Sequence, residues 1–280
     1  MTVGIIGLGL IGGSMANDLR AKGYASKLIG ADHNSKHCTE ALSLKLVDQI
    51  MSIEELVQNT DLIILAIPVR SAHSLLTQVL DQIKEHQIII DTGSTKEGIC
   101  HTAELHSKRS RYVATHPMAG TEHSGPRAAI KGLFKGKVCI ICDQNKSSLT
   151  AISKVKELYS TLGMKLIYMD SAAHDMHAAY VSHISHISAF VLALAVLEKE
   201  KSEKTLLDMA SGGFESSVRL AKSDPAMWSQ IFTQNKTHLL EVMDAYGEHL
   251  NRFRKHIEAS DEKSLIQLME KANKIRKALK

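Results

Sequence analysis

Residues 3–19 read VGIIGLGLIGGSMANDL. A four-residue apolar run ends at Gly7-x-Gly9-x-x-Gly12, and a segment with helical spacing follows. A lone GxGxxG is a weak signal. This one follows a predicted strand, opens a predicted helix, and is succeeded by an acidic residue, Asp32, at the end of the next apolar run, which is the full context of a dinucleotide fingerprint. Gly7 serves the tight turn, Gly9 lets a pyrophosphate approach the backbone, and Gly12 permits close helix–strand packing. Leu10 and Ile11 complete the cofactor-binding loop. The free amides and positive dipole end of the helix then face the phosphates. Asp32 is expected to accept from the ribose hydroxyls and to repel a 2′-phosphate, so NAD is expected over NADP, although His33 beside it could carry charge.

Outward from this stretch, apolar runs recur at 28–32, 62–68, 88–91, 112–115, 138–141 and 165–169, with amphipathic segments between several of them. Such alternation predicts a mostly parallel sheet with helices on both faces. Continuous runs such as LIILAI suit strands covered on both sides. Beyond about residue 170 the strands stop. Helical spacing is expected over 171–199, 202–210, 214–222, 225–258 and 261–279, with Ser223 or Asp224 capping ahead of Pro225 and the ASDEKS segment opening the last helix. The chain therefore divides into an α/β Rossmann-type dinucleotide-binding domain, 1–169, and an all-helical substrate and dimerisation domain, 170–280.

The bulk properties exclude several classes. The 280 residues suit about two domains. A net charge of +4 with no basic stripe interleaved with aromatics argues against nucleic acid, and the basic end KANKIRKALK reads as a solvated helix tail. Cys139 and Cys142 have CxxC spacing within a predicted strand, so they point to opposite faces and form no metal or redox pair. Few, scattered cysteines suit a reducing compartment. The N-terminus carries no signal peptide, and no apolar run is read as long enough to span a bilayer. The expectation is a cytoplasmic protein with no metal and no membrane partner.

Catalytic candidates gather at strand ends, because open α/β sheets bind ligands at their carboxyl edge. AIPVR brings Pro68 there, and DTGSTK brings Ser94 and Thr95 to the nicotinamide end. For Ser94 a helix N-cap ahead of TKEGICHTAEL is the plainer role, compatible with the first. In THPMAGTEHSG, His116 follows the run YVAT and should reach the same edge. A neutral imidazole there can take a proton from a hydroxyl while hydride leaves for NAD. In the helical half, His174 and His177, and likewise His183 and His186, are three apart and share a helix face. No carboxylate cluster completes a metal site, so a polar face lining a cleft is the better reading. Arg219, amid small residues in GGFESSVRL, is a natural fork for a substrate carboxylate.

Taken together, the glycine loop, DTGSTK, THPMAGTEHSG, AAHDMHAAYVSHISH and GGFESSVRLAKSDPAMW resemble the prephenate dehydrogenase family, in that family's order and over nearly the whole chain. The resemblance implies NAD-dependent oxidative decarboxylation of prephenate to 4-hydroxyphenylpyruvate. Position by position, it implies that His116 polarises the ring hydroxyl, that Ser94 orients it, and that Arg219 binds the ring carboxylate. His186 would lie near the pyruvyl arm, Thr121 near its carboxylate, and His183 at the pocket wall. Glu122 and Asp175 would join an ionic network gating the pocket. It further implies a homodimer through the helical half, with no fused mutase or regulatory module. Alternatives are an arogenate dehydrogenase giving tyrosine directly, a β-hydroxyacid or imine reductase on the same plan, and a non-catalytic NAD-sensing protein. THPMAGTE argues against the reductases, and the presence of His116, Ser94 and Arg219 against the silent protein.

Overall fold

Each apolar run of the first half becomes a strand, because side chains covered on both faces of a sheet must all be apolar. The computed structural model describes residues 1–278. Its strands are β1 (Thr2–Ile6), β2 (Lys27–Ala31), β3 (Gln49–Ile50), β4 (Leu62–Leu65), β5 (Ile88–Asp91), β6 (Tyr112–Pro117), β7 (Val138–Cys142) and β8 (Lys165–Met169). The two-residue β3 was not anticipated, since so short a bridge has no periodicity to detect. The helices are α1 (Leu10–Ala21), α2 (Ser35–Ser43), α3 (Ile53–Gln58), α4 (Val69–Gln82), α5 (Glu97–Glu104), α6 (Leu149–Leu162), α7 (Ser171–Ala178), α8 (Ile184–Glu200), α9 (Gly212–Val218), α10 (Pro225–Gln234), α11 (Lys236–Glu258) and α12 (Glu262–Asn273).

The sheet order is β3-β2-β1-β4-β5-β6-β7-β8. Neighbours run parallel except β6 and β7, which are antiparallel with His116 opposite Ile140. The chain moves outward one way from β1 through β2 to β3, then returns to place β4 on the other side of β1. A crevice opens at that reversal, beyond the carboxyl ends of the strands. Two apolar layers flank the sheet. One contains Val3, Met15, Leu28, Ile64, Val113, Cys139 and Tyr159. The other contains Ile6, Ile63, Leu76, Ile89, Tyr112 and Cys142. Cys139 and Cys142 thus fall on opposite faces, as the strand period requires. Full burial of a Val, Ile or Leu side chain is worth ~1.5–3 kcal/mol, and every residue of β4 is buried.

After β8 the chain passes directly into α7, whose N-cap Asp170 accepts a hydrogen bond from the Ala173 amide. The helices of the second half are more broken than their spacing suggests. A π turn, Ala179–His183, interrupts the first. The segment 202–210 holds only a 3-10 turn, Leu207–Met209. The stretch 225–258 breaks at Asn235, and the expected end of the last helix at 279 lies outside the described residues. Asp224 caps α10 from its side chain, with Pro225 at the first position. Residues 1–235 form one compact unit and the described residues from 236 onward a second. In the second, α11 and α12 are joined by a short turn at which Asp261 accepts from the Ser264 amide.

One expectation needs correction. The continuous helical run Ser171–Glu200 is, among the described residues, the one helix long and apolar enough by length and composition to cross a membrane, with mean hydropathy 1.7 in its most apolar window. The histidines and serines of its first half concealed it from a reading of short apolar runs. The π turn joins two helices instead of ending one.

Candidate active site

The glycine loop is built by crowding. Gly7 has φ +97°, and a Cβ there would sit 2.3 Å from the Ala66 carbonyl oxygen. A Cβ on Gly12 would lie 1.9 Å from the Gly7 carbonyl oxygen. Gly9 is different: nothing lies within 4 Å of the position its Cβ would take. Gly7 and Gly12 are therefore needed by the fold, and Gly9 is open on the side a ligand would occupy. The α1 N-terminus beyond Gly9 has neither a side-chain cap nor an acidic residue in its first turn, so its amides remain available to an anion. Leu10 and Ile11 form that first turn. Asp32 lies just beyond β2, where its carboxylate accepts from the Leu8 amide and the Asn34 amide, both at 2.8 Å, tying β2 to the loop. His33 and His37 stand 3.3 and 3.5 Å from the same carboxylate. His33 was anticipated; His37 was not, since it arrives from one turn into α2. A dinucleotide fits this cradle.

Pro68 precedes α4 at the end of β4, and Thr95 follows β5. Thr95 is buried, with its hydroxyl donating to Gln234 at 2.7 Å. Ser94 does not cap α5. Instead the carboxylate of Asp175, on α7, accepts from the amides of Lys96 (2.7 Å) and Glu97 (2.9 Å), doing from a distance what an N-cap side chain would do locally. Behind the loop, the ammonium of Lys96 is fully buried in an ion pair with Asp91. Asp91 also accepts from the Tyr112 hydroxyl at 2.7 Å.

His116 sits at the carboxyl end of β6 and is 7% exposed. Its Nδ1 is 2.8 Å from Nε2 of His174, whose Nδ1 is 2.7 Å from Oδ1 of Asp175. Burial pushes the His116 pKa well below the ordinary histidine value, and the nearby cationic forms of His174, Lys96 and His183 add to the effect. It is a neutral base. Burial likewise lowers His174, and the adjacent Lys96 lowers it further against the opposing bond to Asp175. Burial alone would raise the Asp175 pKa; the bond and charge of His174 and the amides of Glu97 and Lys96 outweigh it and hold the carboxyl below its usual range.

The π turn sets the other imidazoles. One residue more per turn rotates everything downstream, a feature frequent at functional sites. His183 is fully buried and 5.9 Å, ring centre to ring centre, from Trp228; His186 stacks on the same indole at 3.4 Å. This pair shares a face as its spacing predicts. The pair His174 and His177 does not line one cleft: His174 is buried and His177 exposed. His186 donates from Nδ1 to the Ser182 carbonyl at 3.1 Å, leaving Nε2 bare. Asn235 donates to the Asp175 carbonyl at 2.6 Å and to His183 Nδ1 at 3.1 Å. The proton of His183 is therefore on Nε2, which is buried and turned toward the Ser94 backbone. Burial pushes the His183 pKa down to about 4.

Arg219 is half-exposed and lies 3.6 Å from the Glu122 carboxylate. Its charge reaches His186, whose pKa it lowers after burial has done so first. The hydroxyl of Thr121 accepts from the His123 amide at 3.2 Å. Glu122 and Asp175 do not form one network. Glu122 pairs with Arg219 on the loop after β6, whereas Asp175 is buried with His174 and the α5 amides. The physical reason is that Asp175 sits on the inner face of α7, where every carboxylate oxygen already has a donor. The residues missed at the sequence level are Lys96, His174 in its contact with His116, Trp228 and Asn235. Lys96 ends DTGSTK, and only its burial distinguishes it from a surface lysine. Among the described residues no cluster suited to a metal ion occurs.

A doubly wound sheet with a glycine cradle at its switch point and a buried neutral imidazole along the same edge is the arrangement of a dinucleotide-dependent dehydrogenase. The comparisons specify which kind. Residues 15–168 match the family pattern described as prephenate dehydrogenase, nucleotide-binding domain, and residues 170–271 match prephenate dehydrogenase, dimerization domain. The chain belongs to the prephenate dehydrogenase family. It is 30% identical to the cyclohexadienyl dehydrogenase of Zymomonas mobilis over 99% of this chain and 96% of that one. It is 30% identical to the prephenate dehydrogenase of Bacillus subtilis over 99% of this chain and 76% of that one. Among solved structures, prephenate dehydrogenase from A. aeolicus in complex with hydroxyphenyl propionate and NAD+ superposes with a TM-score of 0.91 at 29% identity, covering 100% of this chain and 98% of that one.

Proposed function

We propose that the protein oxidises prephenate with NAD, releasing carbon dioxide and 4-hydroxyphenylpyruvate. The observation that carries the reading is the buried, neutral His116 at the rim of the dinucleotide cradle, with Nε2 unpartnered among the described residues and Nδ1 held from behind. When bound, NAD accepts the hydride from the carbinol carbon. The rest falls to the chain's own residues. Gly7, Gly9, Leu10, Ile11 and Gly12 would cradle the pyrophosphate, Asp32 the ribose, and Pro68 and Thr95 the nicotinamide end. His116 takes the hydroxyl proton at Nε2, and Ser94 orients that hydroxyl. Arg219 grips the ring carboxylate until it departs. A guanidinium binds an ionised carboxylate well but opposes the flow of its charge into the ring, so Arg219 serves binding more than chemistry. The Nε2–H of His183, buried beside the Ser94 backbone, would line the pocket wall. His186 and Thr121 would face the side chain, and the Glu122–Arg219 pair would form the gate.

Arogenate is the competing substrate, because the chemistry at the ring is identical and only the side chain differs. Assays of purified protein with prephenate or arogenate, each with NAD or NADP, followed at the reduced-cofactor absorbance, decide among the four combinations. Turnover of arogenate alone would overturn the substrate assignment. We also propose that the working division of the chain falls at Met169–Asp170 and that a second copy covers the helical half. Val191, Leu194 and Leu197 of α8 leave a large apolar face exposed, as an obligate interface requires.

A further inference from the structure

We infer that Asp175 and His174 form a directional hydrogen-bond relay that holds His116 in its Nδ1–H tautomer and so presents a bare Nε2 to the substrate. The direction follows link by link from groups whose polarity is not in doubt. The amides of Lys96 and Glu97 can only donate, and both point at the Asp175 carboxylate, at 2.7 and 2.9 Å. That carboxylate is an acceptor. His174 Nδ1, 2.7 Å from Oδ1, must therefore carry the proton. A neutral imidazole has one N–H, so His174 Nε2 is bare. His116 Nδ1, 2.8 Å from it, must then be the donor, and the lone pair of His116 is left on Nε2. The opposite polarity would need a doubly protonated His174 with no exposed surface.

The surroundings agree. The titratable groups facing His116 are His174, Lys96 and His183, and those facing His174 are Asp175, Lys96 and Asp91. Lys96 and Asp91 neutralise one another, so Asp175 is the anion left to answer a proton arriving on His116. When Nε2 takes the hydroxyl proton, the Nδ1–H bond to His174 persists and polarises toward Asp175. No proton needs to leave His116 for this, and the bonds only shorten and strengthen. His174 and Asp175 touch neither substrate nor cofactor in this account; they are positioning residues, and Asp175 does a second task in capping α5. The anchor of the relay is the backbone of the loop that carries Ser94 and Thr95. The base is thereby registered to the nicotinamide end of the site.

The inference rests on the proposed function for its kinetic consequence but not for the tautomer itself, so two readouts separate them. Oδ1 of Asp175 serves both the Lys96 amide and His174 Nδ1 while Oδ2 serves the Glu97 amide, so an asparagine could turn an N–H to His174 only against the Lys96 amide. Asp175→Ala instead removes the acceptor that keeps the His174 proton on Nδ1; that proton then passes to Nε2, which moves the His116 proton to its own Nε2 and removes the base. Long-range 1H–15N spectra of the histidine rings should show His116 protonated on Nδ1 in the native protein and on Nε2 in the variant. With a substrate that turns over, kcat should fall roughly 10²–10⁴-fold with little change in KM, as loss of an acid–base group requires. His174→Gln, whose amide oxygen can accept from His116, should retain more kcat than His174→Leu at equal melting temperature. Native His116 protonated on Nε2 would overturn the relay whatever the substrate proves to be. So would Asp175→Ala with normal kcat and a raised KM, which is the signature of a gate. If no substrate turns over, the proposed function fails while the spectra still decide the relay.

Discussion

At the scale of the residue, the proposed function separates groups that would hold from a group that would react. His116 is buried, neutral and bonded on one nitrogen only; Arg219 is half-exposed and charged. His116→Ala should lower kcat by roughly 10²–10⁴ and leave substrate affinity nearly intact. Arg219→Ala should do the reverse, raising KM far more than it lowers kcat, because it removes a contact that is no stronger in the transition state than in the ground state. Steady-state kinetics on the two variants check the assignment, and an exchange of the two patterns would refute it. Since His116 is depressed well below the ordinary histidine value, it is already deprotonated at neutral pH. The acidic limb of the kcat/KM profile should therefore lie below the ordinary histidine range.

At the scale of the element, the glycine loop makes three positions that look alike in sequence behave differently. Gly7→Ala meets both a left-handed φ and a carbonyl oxygen, and Gly12→Ala meets a carbonyl at closer range still. Strain of this kind costs about 1–3 kcal/mol or more, so both variants should melt several degrees lower. Gly9 has φ −74° and ψ −158°, which alanine adopts freely, and empty space beside it. Gly9→Ala should keep the native melting temperature and lose NAD affinity, as thermal melts with and without NAD would show. Equal thermal losses at all three positions would mean that Gly9 is structural as well. The π turn is the other informative element. Without it the helical run from Ser171 to Glu200 would carry His183 and His186 around the axis, away from Trp228.

At the scale of the whole molecule, two further expectations follow. The first concerns acid. His116, His174, His183 and His186 are all held neutral by burial, with pKa values below that of the unfolded chain. Below about pH 6.5 the unfolded chain binds more protons than the folded one, so stability falls with pH until the folded pKa values are reached. For His183, with its value near 4, the loss is on the order of 3 kcal/mol. Melting temperature should be level above pH 7 and decline steeply between about 6.5 and 4; a flat profile down to pH 5 would contradict the burial argument. The second concerns assembly. Leu194→Glu puts a charge on the exposed apolar face of α8. It should shift the protein from dimer to monomer in sedimentation while NAD affinity is kept, because the glycine cradle is distant in sequence and complete in itself.

What the sequence determined by itself was whatever depends on short-range pattern. Strand period, helix period, the glycine spacing and the acidic residue after β2 specify the order of elements and the place of the cradle, because each is decided among residues within a few turns of one another. His116, Ser94 and Arg219 could be proposed for the same reason, as polar residues at the ends of apolar or small-residue runs. The rest needed the folded chain. The contact of His116 with His174 spans 58 positions and that of Asp175 with Lys96 spans 79. No local periodicity encodes such a pairing; it arises when α7 docks against the start of α5. Burial then fixes its meaning, turning Lys96 into half of an ion pair and Asp175 into the acceptor shared by His174 and the α5 amides. Only tertiary structure removes the water that would otherwise let each of these side chains take any partner it met.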